Sequence, residues 1–146
     1  MNPCTVTAIA GGLPEGLAVL ASEARSEGYR MLDVLIAEWE SGANRFDGPG
    51  EAVLGVMAGT VLVGIGGMTV DPDYPDALRM RRFYVSARHR RRGAGSAMAR
   101  ALLERPETQG LLIVLNAGTA AAPAFWESLG FTRAGARTGH THVLQR

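Results

Sequence analysis

Between Leu78 and Glu104 the chain reads LRMRRFYVS, then ARHRRRGAG, then SAMARALLE: an alternating strand-like stretch, a cationic run closed by two glycines, and a good helix former. A helix that opens just after glycines presents unpaired backbone N–H groups and the positive end of its dipole. Glycine lets an anion come within hydrogen-bonding distance of the backbone, where a Cβ would obstruct it. The guanidinium groups of Arg88 to Arg92 add charge and grip phosphate oxygens in a bidentate fashion. The segment therefore reads as a strand, a phosphate or pyrophosphate loop, and a helix.

The rest of the 146 residues places that segment in one mixed α/β domain spanning 1–146. Hydrophobic residues make up 47% and charged residues 20%, a globular balance rather than a disordered one. The net charge of +1 hides an asymmetry: every basic residue is arginine, and Arg79, Arg81, Arg82, Arg88, Arg90, Arg91 and Arg92 cluster together. A near-neutral chain with one basic cluster suits a small polyanion better than nucleic acid, and the cluster lacks the interleaved exposed aromatics that nucleic-acid stacking needs. Cys4 is the only cysteine, so an intrachain disulfide and a thiolate metal site are excluded. No signal peptide and no apolar stretch of the ~18 residues that span a bilayer is evident, so the expectation is a cytoplasmic protein without a membrane or nucleic-acid partner.

Periodicity sets the order of elements. Thr5 to Ile9 alternates as a strand, Leu13 to Glu27 reads as a helix broken by Gly28, and Tyr29 to Glu40 carries Met31, Leu32, Leu35, Ile36 and Trp39 at helical spacing. A loop (Ser41 to Gly50) leads to a hairpin of Ala52 to Met57 and Thr60 to Val70, then a turn at DPDYPD. In the strand Leu78 to Ser86, strict alternation puts Leu78, Met80, Arg82 and Tyr84 on one side and Arg79, Arg81, Phe83 and Val85 on the other. A helix (Ala94 to Glu104), a buried strand (Leu111 to Leu115), a helix (Ala120 to Leu129) capped by Gly130, and strands at Phe131 to Arg133 and His140 to Leu144 complete the chain.

Three phosphate loops compete for the glycine segment. A P-loop requires lysine, which the chain lacks. A dinucleotide fingerprint requires a third glycine where Met98 stands. The pattern Arg/Gln-x-x-Gly-x-Gly/Ala is met at every fixed position by Arg90-Arg91-Arg92-Gly93-Ala94-Gly95. With FYVSARHR before it and AAPAFWESLGF (Ala121 to Phe131) after it, the chain resembles the GCN5-related N-acetyltransferase (GNAT) superfamily.

The resemblance implies a mostly antiparallel sheet of six to seven strands flanked by about four helices, with a splayed parallel pair holding acetyl-coenzyme A as cosubstrate and no metal. The backbone of Phe83, Tyr84 and Val85 would pair with the pantetheine arm. The amides of Arg91, Arg92, Gly93, Ala94, Gly95 and Ser96 would hold the pyrophosphate, with Arg90 bracing the loop. The implied activity is acetyl transfer to an amine of a small molecule, protein or peptide; the alternative is a coenzyme A-binding module without catalysis. A homodimer is left open.

The sequence departs from the family pattern at the chemistry itself. Where relatives often carry a tyrosine acid this chain has Trp126, whose indole N–H is not acidic. The usual asparagine position is Thr119, with Asn116 upstream as its substitute in the cofactor-binding set, and the usual glutamate base is Arg79. A water-relayed base from Glu38, Glu40, Asp71 or Asp73 remains open, and no catalytic residue is assigned.

Other features have simpler readings. Arg79 and Arg81 read as a solvated strand face, with the 3′-phosphate of the cofactor as the alternative partner for part of the cluster. His89 reads as a solvated neighbour of phosphate. His140 and His142 read as an edge-strand pair, since no third metal ligand lies nearby. Trp39 and Trp126 read as core or pocket wall, and Gly64 to Gly67 as close packing or a bulge.

Overall fold

The structure is a computed structural model and describes residues 4–135 and 139–145. A seven-stranded sheet runs in the order β1 (Cys4–Ala8), β2 (Ala52–Ala58), β3 (Val61–Val70), β4 (Ala77–Val85), β5 (Leu112–Leu115), β7 (His142–Leu144), β6 (Thr132–Arg133). Every neighbouring pair is antiparallel except β4 and β5. Four helices pack on the sheet: α1 (Leu17–Ser26), α2 (Met31–Ser41), α3 (Ala94–Leu103) and α4 (Ala122–Ser128). This is the mixed, mostly antiparallel architecture with one parallel pair that the sequence predicts.

Each helix owes its place to an apolar stripe. In α1, Leu17, Leu20, Ala21 and Ala24 recur at helical spacing and are buried, and Leu32 and Leu35 of α2 join them against Ile65 and Tyr84. On the opposite face, Ala99, Leu102 and Leu103 of α3 and Trp126 of α4 pack on Met68, Leu78, Met80 and Ile113. α1 begins at Leu17 rather than Leu13, because the chain turns through Gly16 first. At its end, Tyr29 N–H donates to the Ala24 carbonyl and Gly28 N–H to that of Arg25, the paired bonds of a Schellman cap, so α1 and α2 are separate helices.

The alternation read for β4 holds through Arg81 and fails at Arg82. Ile65 lies opposite Tyr84 and Gly67 opposite Arg81, so two residues of β4 face one of β3, and Arg82 takes a left-handed φ of 62°. This β-bulge shifts the phase by one residue. Arg82 consequently faces α2, where it pairs with Glu38, while Phe83 joins Leu78 and Met80 on the α3 face. The glycines opposite are close-packed: a Cβ on Gly67 would lie 2.5 Å from the Phe46 ring, and one on Gly66 would lie 2.8 Å from that of Phe83.

Candidate active site

β4 and β5 pair over only three positions, Ala77 with Leu112, Leu78 with Ile113 and Arg79 with Val114. Beyond them β5 ends at Leu115 while β4 runs on to Val85, so the strands part and leave a cleft of about 640 Å³. Its mouth is the start of α3. Gly93 precedes that helix at φ 85°, in the left-handed region that glycine adopts without strain, and among the described residues no side chain caps the first turn. The first amide bonded back along the helix is Ala97 N–H, to the Gly93 carbonyl, so the amides before it are available to an anion.

A charged brace fixes the loop that leads to this helix. Arg90 donates through Nε to the Val85 carbonyl at 2.9 Å and through both terminal nitrogens to the Glu27 carboxylate, and its guanidinium lies 5.3 Å from the Tyr84 ring centroid. The Tyr84 hydroxyl donates toward Glu23 and Glu27, while Glu23 also accepts from Ser86 Oγ and the Ala87 amide. Glu23 on α1 and Glu27 at its C-cap are one helical turn apart, so one side of the helix end clamps the end of β4. The Ala87 amide holds the Glu23 carboxyl below the usual value of 4.5, and Arg90 does the same for Glu27. Burial, then these carboxylates, push the Tyr84 phenol up.

Carboxyls whose folded-state pKa is depressed stabilise the fold above their unfolded pKa and lose that contribution as pH falls through the folded value. Thermal unfolding should therefore give a nearly constant melting temperature from about pH 7 to about pH 5 and a decline below the ordinary glutamate value of 4.5. In Glu27→Gln the acid decline should be shallower. An identical pH profile for the variant would show that the brace adds nothing to stability.

A family model for the acetyltransferase (GNAT) family matches residues 17–131. The chain belongs to the GNAT acetyltransferase family. No curated protein matches it in sequence. Among solved structures, a putative acetyltransferase from Exiguobacterium sp. superposes with a TM-score of 0.85 at 21% identity, covering 98% of this chain and 93% of that one. The N-acetyltransferase YlbP from Bacillus subtilis, in complex with coenzyme A, gives 0.63 at 16% identity, covering 99% and 97%. A ribosomal-protein-alanine N-acetyltransferase from Escherichia coli gives 0.65 at 20%, covering 97% and 89%.

Within this GNAT fold, ten of the eleven residues predicted for cofactor binding line the cleft: Phe83, Tyr84, Val85, Arg90, Arg91, Gly93, Ala94, Gly95, Ser96 and Asn116. The eleventh, Arg92, is exposed outside it. Asn116 is also engaged structurally, its Oδ1 accepting from the Thr141 amide. Trp126 is 6% exposed and stands in the cleft wall, edge-to-face with Phe83, Phe125 and Phe131.

Several expectations are corrected. Arg79 and Arg81 are half-buried in the cleft wall rather than solvated, and so is His89. β7 lies inside the sheet between β5 and β6, so His140 and His142 are no edge pair. They also go to different partners: His142 Nε2 lies 2.8 Å from Glu127, whereas His140 lies 3.3 Å from Asp71 and against the Tyr74 ring. Of the candidate bases, Glu38 is paired with Arg82, Asp71 accepts from the Asp73 and Tyr74 amides, and Glu40 and Asp73 are exposed. Sequence reasoning missed Glu23 and Glu27; their i, i+4 spacing on α1 was the available signal.

Proposed function

We propose that this chain transfers an acetyl group from acetyl-coenzyme A to the amine of a small molecule, protein or peptide. The observation that carries the reading is the parting of β4 and β5 into a cleft whose mouth is the uncapped, arginine-flanked start of α3. Those residues fit the cofactor. The amides of Gly93 to Ser96 and the guanidinium of Arg91 suit a pyrophosphate. Beyond Arg79 the β5-facing edge of β4 has no strand partner among the described residues, and it suits the amide-bearing pantetheine arm. The cofactor supplies an activated thioester; the residues of this chain bind and orient the two reactants, which by itself lowers much of the barrier for a deprotonated amine.

Trp126 holds the wall and donates no proton. A thiol with a pKa near ~8.5 is a tolerable leaving group near neutral pH, so an acid there adds modestly against the roughly 10²- to 10⁴-fold that a positioned acid gives elsewhere. The start of α3 and its arginines also favour developing negative charge. Trp126→Phe should therefore keep the chemical step within about tenfold of the parent in single-turnover transfer at saturating cofactor. A loss beyond about a hundredfold would mean that the indole orients a reactant.

A coenzyme A-binding module without catalysis is the second reading, favoured by the buried indole at the acid position. Release of free thiol from acetyl-coenzyme A, followed with a panel of amines, separates the two. Amine-dependent release with matching acetylated product supports transfer. Tight coenzyme A binding with no acceleration by any amine supports the module.

A further inference from the structure

We propose that the amine acceptor carries a carboxylate and that Arg79 and Arg81 receive it on the β4 wall of the cleft. The inference rests on the acetyl-transfer reading and names its acceptor class. Because the bulge shifts the phase of β4, Arg79, Arg81 and Arg82 share the face turned toward α2. All three line the cleft, and the Nε of each is buried without a hydrogen-bond partner. Glu38 pairs with Arg82 at 2.9 Å, and among the described residues no carboxylate pairs with Arg79 or Arg81.

A charged N–H donor buried without an acceptor is costly, and each of these half-buried guanidiniums carries one. Burial, then the charges of Arg82 and Arg79, disfavour the protonated form of Arg81, which marks the same excess of positive charge. Glu38 and Asp71 offset this only in part, since Glu38 is paired with Arg82 and Asp71 accepts from the Asp73 and Tyr74 amides; Glu51, which lines the adjoining cavity, is held by the Gly48 and Val70 amides. An anion from solution completes the arrangement, and the planar fork of arginine matches a carboxylate.

Position along β4 separates this anion from the phosphates of the cofactor. Arg79 stands at the last paired position, where the cleft closes, whereas the start of α3 lies beyond Val85. Six residues of strand separate Arg79 from Val85 and four separate Arg81 from it, on the order of 20 Å and 13 Å. The arginines thus face the closed end, where the acetyl group and the amine meet. Arg81 also lines a second, polar cavity of about 340 Å³ alongside Thr69, which gives the acceptor room beyond the cleft.

The test pairs each amine with the counterpart whose carboxylates are replaced by amides: glycine with glycinamide, glutamate with glutaminamide. Transfer from acetyl-coenzyme A should favour the carboxylate by at least about tenfold in kcat/KM, chiefly through KM. Calorimetry of the coenzyme A-saturated protein with N-acetylglycine and N-acetylglutamate against their amides should show the same preference. Arg81→Gln, and Arg79→Gln as a second variant, should erase the preference while the affinity for coenzyme A itself changes less than about threefold. Equal or better use of the amides, a preference for phosphoethanolamine, or a collapse of coenzyme A affinity in both variants would overturn the proposal. Preferential binding of the acetylated acids without transfer to any amine would instead keep the carboxylate site and remove the transfer reading. Neither binding nor transfer with any probe would overturn the proposal.

Discussion

Gly93→Asp should lose coenzyme A affinity by at least about a hundredfold while remaining folded. The added Cβ meets nothing within 4 Å, so the protein itself has room for it. The cost to folding is the left-handed φ of 85°, on the order of 1 kcal/mol for a non-glycine residue and least for asparagine and aspartate. The cost to binding is larger. A carboxylate about 4 Å from a phosphate oxygen, at an effective dielectric of 20, is repelled by about 4 kcal/mol, close to a thousandfold in Kd. Gly93→Asn separates the two causes, since it adds the same bulk without charge and should retain much of the affinity that the aspartate removes. Calorimetry of all three proteins with coenzyme A, alongside their melting curves, checks this. Binding by the aspartate variant at parental affinity would remove the phosphate from the start of α3.

Phe131→Ala should be the most damaging truncation in the α4 region, costing about 3–5 kcal/mol of a total stability that for a domain is about 5–15 kcal/mol. Phe131 is 2% exposed and packs edge-to-face on Trp126, the ring centroids 5.4 Å apart. It is also the residue that closes α4. Its N–H donates to the Trp126 carbonyl and that of Gly130 to Glu127, and the apolar contact between Phe131 and Trp126 completes the Schellman motif. Truncation leaves a void beside the cleft wall, so the melting temperature should fall by about 10 °C or more. Val19→Ala, at a residue 76% exposed, should change stability by less than about 0.5 kcal/mol. A Phe131→Ala loss no greater than that of Val19→Ala would show that the α4 cap and its aromatic contacts do not hold this wall.

How far the fold was legible depended on whether its signal was local. The helices of α1 and α2, the cap at Gly130 and the glycine loop are written in spacing and turn residues, and their boundaries fall within a few positions of the expectation. The close packing of Gly66 and Gly67 was legible too, since glycines flanked by strand residues invite a neighbouring ring. A bulge was among the readings of Gly64 to Gly67, and the register shift between Ile65 and Gly67 bears it out, but its place in β4, at Arg82, was not legible. Nothing in LRMRRFYV marks which residue is the extra one, because the bulge is set by register against β3, and so the facing of Arg82 and the residues after it came out wrong. The interior place of β7 was illegible for the same reason: strand order is a long-range property, and a three-residue strand carries no sign of its neighbours.

The site divides along the same line. The loop from Arg90 to Ser96 could be read because backbone geometry and charge act over six consecutive residues. The clamp of Glu23 and Glu27 on Tyr84, Ser86 and Arg90 spans about 60 positions and emerges only when α1 lies across the end of β4. Burial decided the rest. Arg79, Arg81 and His89 look like solvated residues in a basic run, and it is the parting of β4 from β5 that turns them into cleft wall.

The most direct test is an experimental structure of the protein with coenzyme A. The pyrophosphate should lie against the amides of Gly93 to Ser96, the pantetheine arm along Phe83 to Val85, and the thiol should point toward the closed end of the cleft near Arg79 and Trp126. Coenzyme A bound elsewhere, or lying in the cleft with its thiol directed away from Arg79, would contradict this placement.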